Sequence, residues 1–155
     1  MYRRFAVAAA LVLSLAGCHP KPVAKPAADS GANSAFLANN SKQPGVVTLP
    51  DGLQYMIIKQ GDGPKPTATD KVKCHYKGSF IDGTVFESSL ERGEPIDFSV
   101  NGVIAGWTEA LQLMPVGSKW RLFIPSDLAY GDQPNGKIKP GSTLVFEVEL
   151  IAINK

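Results

Sequence analysis

From Thr48 onward apolar and polar residues alternate through most of the chain, the period-two signature of strands with one buried face. Leu53, Tyr55 and Ile57 share one face of a predicted strand, and Val72, Cys74 and Tyr76 share one face of the next. Asp62-Gly63-Pro64 reads as the turn between them. Shorter runs follow at Val85 to Glu87, Ile96 to Val100 and Trp120 to Ile124. The most regular run is the last, where Leu144, Phe146, Val148 and Leu150 interleave with Val145, Glu147 and Glu149. Only one stretch has helical spacing. Trp107, Ala110, Leu111 and Met114 recur at intervals of three and four, and Pro115 ends the run. One helix among many strands predicts an α+β domain in which a twisted antiparallel sheet wraps its concave apolar face around one short α-helix.

The chain ahead of Thr48 follows another pattern. Arg3 and Arg4 precede an apolar stretch from Phe5 to Gly17, whose 13 residues fall short of a membrane-spanning helix and read as an export signal. Its end, Leu15-Ala16-Gly17-Cys18, resembles the lipobox of bacterial lipoproteins, which implies that Cys18 is acylated and becomes the first mature residue. An ordinary secretory signal with a chance cysteine is the alternative. Acyl chains at about 0.8 kcal/mol per buried methylene would hold the protein on a membrane without spanning it. The expected location is the bacterial cell envelope, at the outer membrane facing periplasm or surface. From His19 to Val47 the residues are mostly Pro, Ala, Ser, Asn, Gly and Lys, with Phe36 and Leu37 the bulky apolar pair. That composition predicts a flexible tether of roughly 30 Å root-mean-square length. The expected organisation is therefore a signal over 1–17, an acylated cysteine and tether over 18–47, and one folded domain over 48–155.

Composition narrows the class. With 44% apolar and 19% charged residues, the 155-residue chain can build one globular core, and its 15 Gly and 12 Pro favour short strands over long helices. Of the 16 Lys and Arg, Arg3 and Arg4 belong to the signal, so the remainder balances the 14 Asp and Glu and gives no basic surface for nucleic acid. Cys18 and Cys74 cannot form a disulfide framework or a Cys-x-x-Cys site. No nucleophile motif, phosphate loop, cofactor site or metal site is apparent. His19 falls in the tether. Cys74 and His75 are adjacent on one strand and so face opposite ways, Cys74 as a small core residue and His75 as a solvated one. Glu147 and Glu149 read as an outward charged edge.

What remains is a dispersed aromatic set: Tyr76, Phe86, Phe98, Trp107, Tyr130 and Phe146. Spacing alone would assign each to a core. Five segments, Val72 to Gly78, Asp82 to Ser89, Val103 to Glu109, Ile124 to Gly131 and Thr143 to Leu150, resemble in order the signature blocks of FKBP-type peptidyl-prolyl cis-trans isomerases. The run Gly106-Trp107-Thr108-Glu109-Ala110-Leu111-Gln112-Leu113-Met114-Pro115 is most similar to the bacterial macrophage-infectivity-potentiator type. The resemblance implies a pocket between sheet and helix, with Trp107 as its floor and Tyr76, Phe86, Phe98, Val103, Ile104, Tyr130 and Phe146 as its walls. It further implies that the Ile104 N–H and the Tyr130 hydroxyl meet substrate carbonyls. Glu87 stands where the family usually has Asp, the acceptor for the tyrosine matched by Tyr76, and Arg92 is placed to pair with it. Between Gly131 and Pro140 the loop is slightly short and carries Lys137 at a usually apolar rim position. Relatives of this type usually carry a long helical dimerisation segment, in place of which the tether implies a monomer.

The implied activity suits a chain without a catalytic constellation. Amide rotation faces a barrier of about 18–20 kcal/mol because resonance holds the bond planar, and Xaa-Pro bonds populate both isomers. A twisted amide is less dipolar than a planar one, so a dry aromatic pocket favours the transition state over the ground state. Proline-containing polypeptides are then the substrates and proline-mimicking macrolides the inhibitors. Two further readings are a binding module or chaperone that holds clients at the pocket rim without turnover, and a structural envelope lipoprotein that needs no pocket.

Overall fold

The computed structural model describes residues 30–155. The expected signal, Cys18 and the first part of the expected tether lie outside the described residues. Among the described residues, seven strands form one antiparallel sheet: β1 (Val46–Thr48), β2 (Gln54–Lys59), β3 (Lys71–Phe80), β4 (Val85–Ser88), β5 (Ile96–Ser99), β6 (Lys119–Ile124) and β7 (Leu144–Asn154). Their order is β1-β2-β6-β7-β3-β4, and β5 also pairs with β3. The two longest strands, β3 and β7, run side by side at the centre.

The predicted helix is α3 (Ala105–Leu113), which ends before Pro115. Trp107, Ala110 and Leu111 turn inward from it onto a core of Leu53, Val72, Cys74, Leu122, Ile124, Leu144, Val148 and Leu150. Close packing depends on Gly106. A Cβ there would stand 2.6 Å from Ile124 Cγ2, so only glycine lets the helix lie this near β6.

Several expectations need correction. Residues 30–47, expected as part of a flexible tether, hold helix α1 (Ser30–Asn40) and β1 instead. Few bulky residues suffice to dock α1 because its hold is largely polar. Buried Asn33 donates from Nδ2 to the Gly141 carbonyl (3.1 Å) and accepts the Thr143 N–H at Oδ1 (3.1 Å). Phe36 meets the Phe123 ring at 6.0 Å, and Gln54 bridges the Leu37 carbonyl and Asn40. Thus α1 lies on the sheet face opposite α3.

A second short helix, α2 (Ser89–Arg92), was also not anticipated. Ser88 caps it by accepting the Glu91 N–H, and Gly93 closes it with φ of 77°. Ser88 followed three residues later by Glu91 is the sequence pattern of a helix start, of which the Ser88 side-chain cap is formed. Glu147 lies on no edge: β7 is central, and its register sets Glu147 between Lys77 of β3 and Arg121 of β6. It pairs with both, and Arg121 holds its carboxyl below the usual range. His75 is half-buried rather than solvated, its Nδ1 3.0 Å from Ser89 Oγ. On the first predicted strand Leu53 is fully buried but Ile57, near the strand's end, is 45% exposed.

Candidate functional site

Between α3 and the sheet opens a cavity of about 530 Å³. The eight residues expected as floor and walls line it together with Glu87, making nine: Tyr76, Phe86, Glu87, Phe98, Val103, Ile104, Trp107, Tyr130 and Phe146. They come from β3, β4, β5, the link into α3, α3 itself, the segment after Ser126–Leu128 and β7. The fold therefore gathers at one point a set dispersed over 71 positions of the sequence, Tyr76 to Phe146.

Trp107 is the hub. Its ring stands edge-on to Tyr76 (5.4 Å, 85°), Phe98 (5.3 Å, 68°) and Phe146 (5.4 Å, 89°), while Phe86 stands edge-on to Phe146 (5.7 Å, 89°). Such pairs each contribute about 0.5–1.5 kcal/mol beyond burial, so the floor and wall are a rigid aromatic frame. The frame needs space at Gly78. A Cβ there would come within 2.7 Å of both Phe146 Cε1 and Phe86 Cζ.

Adjacent strand residues normally face opposite ways, yet Phe86 and Glu87 both line the cavity. The β3–β4 register accounts for this. Gly78 pairs with Glu87 and Ser79 with Val85, which leaves Phe86 as the extra residue of a bulge. A bulge re-aims side chains in this way.

At the rim, Arg92 Nη2 donates to the Tyr76 hydroxyl (3.3 Å), and Arg92 Nη1 stands 3.5 Å from Glu87 Oε1. The guanidinium also lies 6.0 Å from the centre of the Tyr76 ring. Burial, then the Glu87 carboxylate, raises the Tyr76 phenol, and the same two causes raise Tyr130. Both phenols thus remain protonated donors at neutral pH.

Cys74 and His75 do not line the cavity. Burial pushes the Cys74 thiol up to about 12, so it stays a neutral core group. Sequence reasoning missed Gly102, Asn135 and Ile138 as lining residues, because a loop wall has no periodicity to betray it. It also missed the carboxyl pair beside α3. A hydrogen bond to Asp51, then burial, raises Glu109 to about 7 while Asp51 is lowered.

Among the residues described, no group of three or more potential metal ligands occurs. The cavity supplies instead apolar walls, fixed dipoles and a few polar rim groups. Its form suits an uncharged ring-bearing ligand.

Residues 63–151 match the family model described as FKBP-type peptidyl-prolyl cis-trans isomerase. Residues 20–57 match that of the domain amino-terminal to such isomerases, which agrees with the ordered α1 and β1. The chain is 59% identical over 119 residues to the FKBP-type 22 kDa peptidyl-prolyl cis-trans isomerase of Escherichia coli, covering 76% of this chain and 58% of that one. It is 53% identical over 122 residues to the outer membrane protein MIP of Legionella longbeachae, covering 78% and 52%. The chain thus spans about half the length of these curated relatives. Its fold superposes with TM-score 0.77 on a peptidyl-prolyl cis-trans isomerase crystal structure from Pseudomonas syringae, at 45% identity, covering 83% of this chain and 95% of that one.

Proposed function

The chain belongs to the FKBP-type peptidyl-prolyl cis-trans isomerase family, and from that premise we propose that it accelerates rotation about Xaa-Pro bonds in exported polypeptides. The observation that carries this reading is the convergence of nine residues from seven parts of the fold on one aromatic cavity floored by Trp107. A proline ring would enter against Trp107, Phe98 and Phe146. Among the described residues the Ile104 N–H has no backbone acceptor, so it is free to receive a substrate carbonyl, with the Tyr130 hydroxyl available for a second. Enclosure by Phe86 and Tyr76 removes water from the planar, more dipolar amide and so favours the twisted one. Each 1.4 kcal/mol or so of preference for the twisted form gives about a tenfold rate, so a few such contacts suffice.

Turnover is tested by a protease-coupled assay on an Ala-Leu-Pro-Phe peptide. Acceleration over the spontaneous rate, inhibition by a proline-mimicking macrolide and a change in Trp107 emission are expected. Peptide binding without acceleration would replace the isomerase with a binding module. The rate should be nearly flat from about pH 6 to 8, because no proton moves in the reaction and the lining phenols stay protonated there.

We further propose that Cys18 carries the membrane anchor, on the strength of Leu15-Ala16-Gly17-Cys18. Envelope placement agrees with the name of the Legionella relative. Cys18→Ser should release the protein from the membrane fraction. Retention of that variant after a salt wash would exclude the acyl anchor.

A further inference from the structure

The cavity carries two lining charges, Glu87 and Lys137, and they are not equivalent. Glu87 is offset by Arg92, whose guanidinium stands 3.5 Å from its carboxylate. Lys137 has no carboxylate within ion-pair distance among the described residues. An aromatic pocket for a neutral ring therefore presents one uncompensated cation at its mouth.

The backbone under Lys137 is held. Asn135 and Ile138 exchange N–H to carbonyl hydrogen bonds of 3.0 and 2.8 Å, with Gly136 at φ of 55° and Lys137 between them at the tip of the turn. The loop base closes through Gly141 N–H to the Gly131 carbonyl (2.9 Å), and Asn33 of α1 grips Gly141 and Thr143 from outside. Ile138 is buried beneath, while Lys137 is exposed. Lys137 also forms part of the wall of a second cavity of about 440 Å³, where Lys139, Ser142 and Thr143 stand with Asp82. A chain leaving the aromatic cavity on this side thus passes two lysines and one aspartate.

We propose that Lys137 is a specificity residue that selects substrates carrying an acidic side chain next to the proline. The inference rests on the isomerase reading of the same cavity and names the substrate class within it. With the proline ring held against Trp107, its two neighbours in the substrate must lie at the cavity mouth, within reach of a long lysine side chain. A carboxylate there supplies the partner that the protein itself does not. Because Lys137 is exposed, the gain is that of a solvent-accessible ion pair, about two- to fivefold in kcat/KM, and salt screens it.

The test uses two peptide series with Xaa as Glu, Gln or Lys: Ala-Xaa-Pro-Phe in the protease-coupled assay, and Ala-Leu-Pro-Xaa followed without protease by NMR exchange between the two Leu-Pro isomers. The readout is the ratio of kcat/KM for Glu to that for Gln within each enzyme, so overall activity cancels. For the unmodified protein the ratio should be about two to five in at least one series and fall toward one in 0.5 M salt. Lys137→Gln should bring it to about one, and Lys137→Glu should invert the order of the Glu and Lys peptides. A ratio of one in both series for the unmodified protein, or a preference that survives Lys137→Gln, would overturn the proposal. Turnover of Ala-Leu-Pro-Phe by the unmodified protein reports separately on the isomerase reading, and its loss would remove both.

Discussion

Gly78 shows how much of the site hangs on single residues. It contributes no side chain, yet a methyl group at its position would meet the Phe86 and Phe146 rings at 2.7 Å. Those rings stand edge-on at 5.7 Å within a frame that ends on Trp107, so neither can move alone. Overpacking of this kind costs about 1–3 kcal/mol and displaces what it touches. Gly78→Ala should therefore lower kcat/KM by about tenfold or more and reduce macrolide affinity, with a fall in melting temperature. Unchanged kinetics in that variant would mean that the rings yield freely. The aromatic members of the site were legible because their blocks could be matched one by one. Gly78 lay inside a matched block, but its purpose depends on a contact between three strands that no spacing encodes. The joint orientation of Phe86 and Glu87 was illegible for the same reason, since the bulge that produces it is a property of the β3–β4 pairing.

Among the elements, strands and α3 were read from periodicity because each buries one face against the core and so must repeat at two or at three and four. Helix α1 buries no such face. It is held by Asn33, by the Gln54 bridge and by Phe36 on Phe123, a mixture that composition reads as a linker. The consequence reaches the site. Asn33 grips Gly141 and Thr143 at the base of the loop that brings Asn135, Lys137 and Ile138 to the cavity. Asn33→Ala strips partners from a buried carbonyl and a buried N–H, a loss of about 1–3 kcal/mol for each group left unsatisfied. That variant should melt earlier and, measured well below its midpoint, show a KM raised more than kcat is lowered. An earlier midpoint with unaltered KM would confine α1 to a role in stability.

For the whole molecule, two sets of carboxyl groups set opposite trends of stability with pH. Glu147 sits between Arg121 and Lys77, and its lowered value means that its contribution is present above its ordinary value of 4.5 and disappears as acid protonates it. Glu109 behaves in the reverse sense. Hydrogen-bonded to Asp51 and raised from 4.5 to about 7, it keeps its proton in the folded state over a range where the unfolded chain has lost it. Its contribution is therefore complete below about pH 4.5 and is lost as pH rises through about 7, where two carboxylates come to face each other. Asp51, lowered, acts in the same direction as Glu147 and sharpens the acid side. The two trends cross, so the melting temperature should be highest near pH 5 and decline on both sides. Glu109→Gln keeps a hydrogen-bond donor toward Asp51 without a titrating proton, and it should flatten the decline between pH 5 and 7.5 while leaving the acid side in place. Arg121→Gln should do the converse, weakening the acid dependence alone. Equal slopes from pH 5 to 7.5 in the unmodified protein and Glu109→Gln would show that the Asp51 and Glu109 pair does not govern that range. Because Glu109 stands on α3 but not in the cavity wall, this dependence should appear in melting curves and leave the isomerase rate, measured far below the midpoint, untouched.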